Sequence, residues 1–376
     1  IMARKYDVVV TNPPYMGSSG MGARLAEFVK KQYPDSKSDL FAVFMERGRE
    51  YTKANGYLAM ITQHAWMFLS SFEKLRAKLM EIDTVNMAHL GARAFEEIGG
   101  EVVQTTAFVM QNRHVHGFKG MYARLIEPTT QDGKEEMFLD GENRFSARQD
   151  NFEKIPGAPV AYWVSEKIIK AYMDGNFFEK TGHPKVGMQT SNNDKFLRMW
   201  HEVNYSEFNG SSFGLKWIKY LKGGAYRKWY GNLEYLLFYN YSPNFIMQQK
   251  HARVLDTTVL EKEKCTWTDL TSGENSFRYA PNDTFHDISG HCFYPSKTDQ
   301  FWLLAYANTK VFSLILKIFN STMHCQVGDV ARVVTPTLTE NEKEKITNES
   351  KKSVGISKED WDSFETSWDF KKHPLI

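Results

Sequence analysis

Cysteine is scarce in this chain. Only Cys265, Cys292 and Cys325 occur in 376 residues. They are far apart, odd in number and form no Cys-x-x-Cys pair, which argues against a disulfide framework and against a thiolate zinc site. The expected setting is a reducing cytoplasm. Long apolar runs are lacking as well. A bilayer span needs about 20 apolar residues. The longest candidate here, Phe312–Phe319, is too short and contains Lys317, with Lys310 just before it. The first residues, Ile1-Met2-Ala3-Arg4-Lys5, contain no apolar segment of the secretory type. Charge of one sign is also missing, because the formal net charge is +2. The chain as a whole is therefore no polybasic binder, and any basic surface must be local.

What remains is an ordinary globular composition, with 42% hydrophobic and 24% charged residues, long enough for about two domains. Aromatics reach 14%. They suit a large core and base stacking equally, so the number alone does not choose.

The first third alternates strands and helices. Tyr6–Thr11 (YDVVVT) is a β-branched run of the kind buried on both faces of a parallel sheet. Ser38–Ala54 reads as a helix with Leu40, Phe41, Phe44 and Met45 on one stripe, stopped by Asn55-Gly56. Tyr57–Thr62, Thr84–Leu90 and Val102–Gln111 read as strands. Ser70-x-x-Glu73 reads as a capping box for a helix through Met80. This order predicts an open, mostly parallel sheet. Pro159–Tyr172 and Thr298–Phe319 read as single helices, and a charged segment follows Thr339. The domain expectation is 1–116 catalytic, 117–180 connector, 181–338 a second domain, and 339–376 a charged linker.

Asn12-Pro13-Pro14-Tyr15 falls at the C-terminal end of the first strand, where open α/β sheets bind ligands. An exocyclic amine on a base is a poor nucleophile, because its lone pair is conjugated with the ring. The Asn12 side-chain oxygen and the Pro13 carbonyl can accept both amine hydrogens and free that lone pair. Two prolines fix φ, so Pro13 and Pro14 aim the carbonyl at little entropic cost. Tyr15 offers a ring to a base extruded from a duplex. The plain alternative is a turn after a strand, but strand, motif, helix, strand and helix in order favour the chemistry. Gly17-Ser-Ser-Gly20-Met-Gly22 lacks the G-x-G-x-x-G spacing of a dinucleotide loop. It reads as a loop near the base or as a plain surface loop.

These residues resemble the second half of the catalytic domain of S-adenosylmethionine-dependent amino-methyltransferases, in which Asn-Pro-Pro-Tyr typifies N6-adenine enzymes. Ser38-Asp39-Leu40-Phe41-Ala42 resembles the family helix that borders cofactor and base, which implies that Asp39 lies beside the cofactor. Gly56–His64 resembles the next strand and Val102–Met110 a late hairpin strand. The family's Gly-rich turn and its ribose-binding acid would lie upstream of Asn12. The resemblance therefore implies an internal fragment, inactive alone. The implied fold is α/β: a partial Rossmann-like S-adenosylmethionine-dependent methyltransferase domain, then a mixed α+β target-recognition domain.

Lys216–Tyr230 (KWIKYLKGGAYRKWY) carries Lys216, Lys219, Lys222, Arg227 and Lys228 with no acidic residue. Trp217, Tyr220, Tyr226, Trp229 and Tyr230 interleave with them. Cations neutralise phosphates and aromatics stack on bases. Gly223-Gly224 would let backbone approach DNA. The alternative is a hairpin with a solvated basic face. Tyr226 and Trp229 either stack or fill the hairpin core. Gly187–Asn193, Lys222-Gly223-Gly224, Asn308–Phe319, Cys325–Asp329, Asp360–Phe370 and His373–Leu375 resemble target-recognition regions, most closely in BREX-type phage-defence adenine methyltransferases. This implies double-stranded DNA as substrate, phage-defence proteins as partners, S-adenosyl-L-methionine as cofactor and no metal. His286-x₄-His291-Cys292 has no fourth ligand at useful spacing. Two other readings stay open: a DNA-binding specificity component that does not methylate, and an RNA or protein-glutamine amino-methyltransferase.

Overall fold

The computed structural model describes residues 4–95, 103–208, 216–271, 273–320, 323–373, 375 and 376. Val102 of the fourth predicted strand and Pro374 of the terminal motif lie outside the described residues. The chain divides into two compact units, Ile1–Asp174 and Gly175–Ile376. Each mixes helices with sheets.

The first unit runs β1 (Tyr6–Thr11), α1 (Ala23–Gln32), α2 (Leu40–Tyr51), β2 (Thr52–Gln63), α3 (Glu73–Leu79), β3 (Asp83–Ala92), β4 (Gln104–Gln111), β5 (Lys119–Arg124), α4 (Gln131–Asp140), β6 (Arg144–Arg148) and α5 (Glu166–Asp174). The six strands form one sheet in the order β1-β2-β4-β3-β5-β6. Only β1–β2 and β3–β5 pair in parallel. β4 is antiparallel to both β2 and β3, and β6 to β5. The mostly parallel expectation is thereby corrected: β4 follows β3 closely in sequence, and strands joined by a connection shorter than a crossover pair antiparallel. The segment 117–180, read as a connector, supplies β5 and β6 to this sheet.

β1 is an edge strand, with Val8 56% and Val10 71% exposed. The expectation of burial on both faces fails because side chains alternate along a strand: Val9 packs against the core, while Val8 and Val10 point to the opposite face, which is exposed here. α2 stops at Tyr51, since Thr52 already pairs with Tyr6. Asn55-Gly56 forms a bulge in β2 rather than the helix end. Asn55 has φ 63°, and a Cβ on Gly56 would come within 2.8 Å of the Asp7 carbonyl. Ser70 caps nothing; a short turn, Ser70–Phe72, leads into α3. Helix formation near 159–172 begins only at Glu166.

The core lies on one face of the sheet. Phe41 and Met45 of α2 and Leu75 and Leu79 of α3 pack with Leu58, Met60, Met87, Phe108 and Tyr122 from the strands. Each such side chain, fully buried, contributes about 1.5–3 kcal/mol. Arg76 is fully buried among them. Its guanidinium donates to the carbonyls of Trp66 (2.8 Å), Leu69 (2.7 Å) and Gly157 (2.6 Å). His64 and His89 are buried too, their ring nitrogens 2.8 Å apart, and the second His89 nitrogen lies 3.1 Å from the Tyr162 hydroxyl.

The second unit holds two four-stranded sheets, β13-β9-β10-β8 and β12-β11-β14-β7. Their strands are β7 (Pro184–Lys185), β8 (Leu197–Met199), β9 (Trp217–Leu221), β10 (Tyr235–Phe238), β11 (Lys264–Trp267), β12 (Phe277–Ala280), β13 (Thr284–His286) and β14 (Cys292–Phe293). The helix expected over 298–319 is two, Gln300–Ala307 and Lys310–Leu316. Asn308 breaks it by bonding both backbone groups of Phe277, at 3.0 and 2.9 Å. Thr339 and Glu342 cap a helix over Glu340–Asp362 that packs on Gln300–Ala307. The segment 339–376 is thus folded onto its unit, with Trp361 and Trp368 buried. No helix among the described residues is long and apolar enough to cross a membrane.

Two outcomes follow for stability. Arg76→Met removes the guanidinium donors to the Trp66 and Gly157 carbonyls and leaves Leu69 only the Phe72 amide, and should lower unfolding free energy by about 2 kcal/mol or more; an unchanged urea midpoint contradicts this clamp. Burial lowers the His64 pKa to about 4 and that of His89 well below the ordinary value. The unfolded rings, near pH 6.5, bind protons first. Their contribution is complete above that pH and is lost as pH falls from there toward 4. The loss of stability between pH 7 and 5 should shrink in a His64→Gln/His89→Gln protein, and an equal loss would refute the assignment.

Candidate active site at the end of strand β1

β1 ends because Pro13 has no N–H to continue the ladder. Thr11 lies opposite Met60 of β2. Gln63 of β2 and Ala92 of β3 lie opposite Thr105 and Gln104 of β4. The C-terminal ends of β1, β2 and β3 therefore share one edge of the sheet.

At that edge Asn12 is exposed, Pro13 buried, Pro14 exposed and Tyr15 half-buried. Tyr15 meets Phe41 of α2 edge-on, with ring centres 6.1 Å apart. Its hydroxyl is buried without a hydrogen-bond partner among the described residues. Desolvation pushes its pKa up to about 12. At neutral pH it stays protonated and cannot act as a general base.

The chain leaving Tyr15 is fastened to the start of α2. The Met16 amide donates to Asp39 Oδ1 at 3.0 Å, the Phe41 amide donates to the same oxygen at 3.3 Å, and the Leu40 amide donates to the Met16 carbonyl at 3.0 Å. Asp39 is thus the N-cap of α2 and the anchor of the motif. Its Oδ2 lies beside Gly17. The Gly17–Gly22 loop is a short exposed turn, Ser18–Gly20, leading into α1.

One residue joins the motif that the sequence reading missed. Phe95 lines the same concavity as Asn12, Pro13, Pro14 and Tyr15. It follows the irregular end of β3, where Gly91 has φ 66°, and the turn beyond it, where Arg93 has φ 56°. The available signal was its position just beyond a strand at the ligand-binding edge.

The chain is similar to several known proteins. The family profile described as Eco57I restriction-modification methylase matches residues 1–90. Adenine-specific methyltransferase PglX of Lacticaseibacillus casei (strain Zhang) is 40% identical over 396 residues, covering 100% of this chain and 33% of that protein. Adenine-specific methyltransferase BrxX of Escherichia coli O9:H4 (strain HS) is 39% identical over 384 residues, covering 100% and 31%. Over its whole length the chain is thus a homologue of part of each of these two adenine-specific methyltransferases. It spans about a third of the length of these curated relatives. The fold is also similar to that of the Type IIL restriction-modification enzyme MmeI in complex with DNA, with TM-score 0.63, 10% identity, and coverage of 96% of this chain and 50% of that one. For a nuclease-deletion mutant of the Type ISP enzyme LlaGI with a DNA substrate mimic, the TM-score is 0.51, with 10% identity and coverage of 93% and 35%.

In this homologue the basic segment is not a hairpin. Trp217–Leu221 is β9, flanked by β10 and β13, and the rest is loop. Its cations are largely engaged within the chain. Lys219 pairs with Asp283 at 2.8 Å, and Lys216 lies 3.6 Å from Glu207. Arg227 pairs with Asp360, lies 5.1 Å from the Trp361 ring centre and donates to the Tyr230 carbonyl. Lys228 donates to the Asn308 carbonyl, and Lys222 lies over the Tyr235 ring. Gly223 and Gly224 have φ 85° and 125° and sit against the Ser289 carbonyl and Asn232, so their own fold requires them. Trp229 is half-buried, its backbone stitched to β12, whereas Tyr226 is 57% exposed. His286, offered as a metal ligand, has its ring nitrogens on the Gly290 carbonyl and the Tyr294 hydroxyl.

Arg227→Ala should consequently cost about 1 kcal/mol of stability and leave the salt dependence of DNA affinity unchanged. A slope lower by roughly 1 would make Arg227 a phosphate contact.

Proposed function

We propose that this chain carries the base-binding part of an enzyme that methylates adenine N6 in duplex DNA within a phage-defence system. The observation that carries the reading is the placement of Asn-Pro-Pro-Tyr at the end of β1, with Phe95 facing the same concavity. In this reading the first unit is the later portion of a Rossmann-like methyltransferase domain, and the second unit recognises the target sequence.

The chemistry follows from residue types. The exposed Asn12 carboxamide oxygen and the Pro13 carbonyl accept the two hydrogens of an adenine amine. That draws the nitrogen toward tetrahedral geometry and frees its lone pair. Tyr15 and Phe95 supply apolar ring surface to a base that has left its stack, which offsets part of the unstacking cost. The surplus proton leaves after transfer, and the exposure of Asn12 gives it a path to solvent.

S-adenosylmethionine, when bound, supplies an electrophilic methyl group. The residues of this chain fit the accepting side of such a reaction. Asp39, the residue here that would border the donor, has Oδ1 committed to two amides. Its first effect is to hold Met16, and with it the motif, in place.

In the full-length protein Asn12→Ala should reduce methylation on the order of 10²–10³-fold while DNA binding persists. Tyr15→Phe should be mild, since the hydroxyl has no partner to lose, and Tyr15→Ala severe. Adenine methylation at the wild-type rate in Asn12→Ala would overturn the proposal. Methylation of RNA or of glutamine in place of DNA would correct its substrate.

A further inference from the structure

Lys134 is an unusual lysine. It lies on α4 between Gly133 and Glu135, yet it is only 4% exposed. Its ammonium donates to the carbonyls of Leu90 and Leu125, each at 2.7 Å. Among the described residues no carboxylate lies within ion-pairing distance of it. Burial lowers its pKa, with Glu127 opposing the shift. Desolvating an ammonium is expensive, and an apolar side chain would fill the same space. What an apolar side chain would not supply is donors for those two carbonyls.

Leu90 sits at the register shift near the end of β3, from which the chain runs on to Phe95. Gly91 and Arg93 adopt positive φ along that stretch. A Cβ on Gly91 would come within 2.9 Å of Ile126, so the stretch is packed against the chain leaving β5. One turn of helix before Lys134, on the same face, Gln131 donates to the Ala94 carbonyl at 3.1 Å. α4 therefore grips the stretch at both ends, at Leu90 and at Ala94. Phe95 follows directly and lines the concavity of the Asn-Pro-Pro-Tyr motif.

We propose that Lys134 and Gln131 are positioning residues for base capture, holding the Leu90–Phe95 stretch so that the Phe95 ring faces the pocket at Asn12–Tyr15. The inference rests on the methyltransferase reading. Neither side chain touches the reacting atoms in it. A ring misplaced by about 1 Å can cost on the order of 10²-fold in rate.

The test is a double-mutant cycle in the full-length protein. Kcat for DNA methylation, DNA affinity, and the fluorescence of 2-aminopurine placed at the target base are measured. Phe95→Ala should lower kcat and change the fluorescence, with DNA affinity altered little. Lys134→Met should lower kcat about 10-fold or more in the wild-type background and much less in the Phe95→Ala background. Gln131→Ala, at an exposed position that folding tolerates, should show the same dependence to a smaller degree. Equal losses in both backgrounds would mean a general structural role and would overturn the proposal, as would full activity in both Gln131→Ala and a folded Lys134→Met. If instead Asn12→Ala and Phe95→Ala both leave methylation intact, the active-site reading itself fails.

Discussion

The candidate site depends on the parallel pairing of β1 with β2. That register sets Thr11 opposite Met60, so both strands deliver their C-terminal ends to one edge of the sheet. Pro13 then halts the ladder one residue beyond Asn12 and turns the motif outward. An antiparallel β1 would have sent Asn12 to the other edge, away from the turn after β3. The Asp39 carboxylate completes the arrangement. By accepting from Met16 and Phe41 it ties the chain leaving Tyr15 to the first turn of α2, and α2 is fixed in turn by Phe41 and Met45 in the core.

A second theme is the use of buried cations as backbone clamps. Arg76 holds the carbonyls of Trp66, Leu69 and Gly157, and Lys134 those of Leu90 and Leu125. In the second unit the fully buried Lys264, its pKa lowered to about 8 by desolvation, donates to the carbonyls of Val259 and Asn282. Arg278, also fully buried, donates to the Arg227 carbonyl and to the Thr268 hydroxyl. Irregular backbone that lies outside helices and ladders leaves carbonyls without partners. A long side chain with several donors satisfies more than one of them at once. The cost of desolvating the charge is accepted where loop geometry matters, and in the first unit one such loop carries Phe95.

What the sequence made legible was local. The β-branched run before Asn12, the helix α2 with Phe41 and Met45 buried, and the strands at Thr84–Leu90 and after Val102 all appear near their expected bounds, although Phe44 of the expected stripe is exposed. What stayed hidden required distant partners. Lys216–Tyr230 reads as a bare basic stretch, since its counter-charges Glu207, Asp283 and Asp360 lie outside it, Asp360 lying 133 positions after Arg227. Asn55-Gly56 reads as a helix stop because a bulge against Asp7 leaves no local signature. Lys134 has no sequence signal of its own, because the carbonyls it holds, at Leu90 and Leu125, belong to other elements. Phe95 was overlooked because a single aromatic in a polar turn has no period to detect.

The central claim is that an extrahelical adenine is held at the end of β1. The most direct measurement is the structure of the full-length protein bound to duplex DNA containing its methylated site and to an unreactive analogue of S-adenosylmethionine. The account predicts the target adenine outside the duplex, its N6 within hydrogen-bond distance of Asn12 Oδ1 and the Pro13 carbonyl, with Tyr15 and Phe95 against the ring. A target base that remains stacked in the duplex, or lodges elsewhere in the protein, would contradict it.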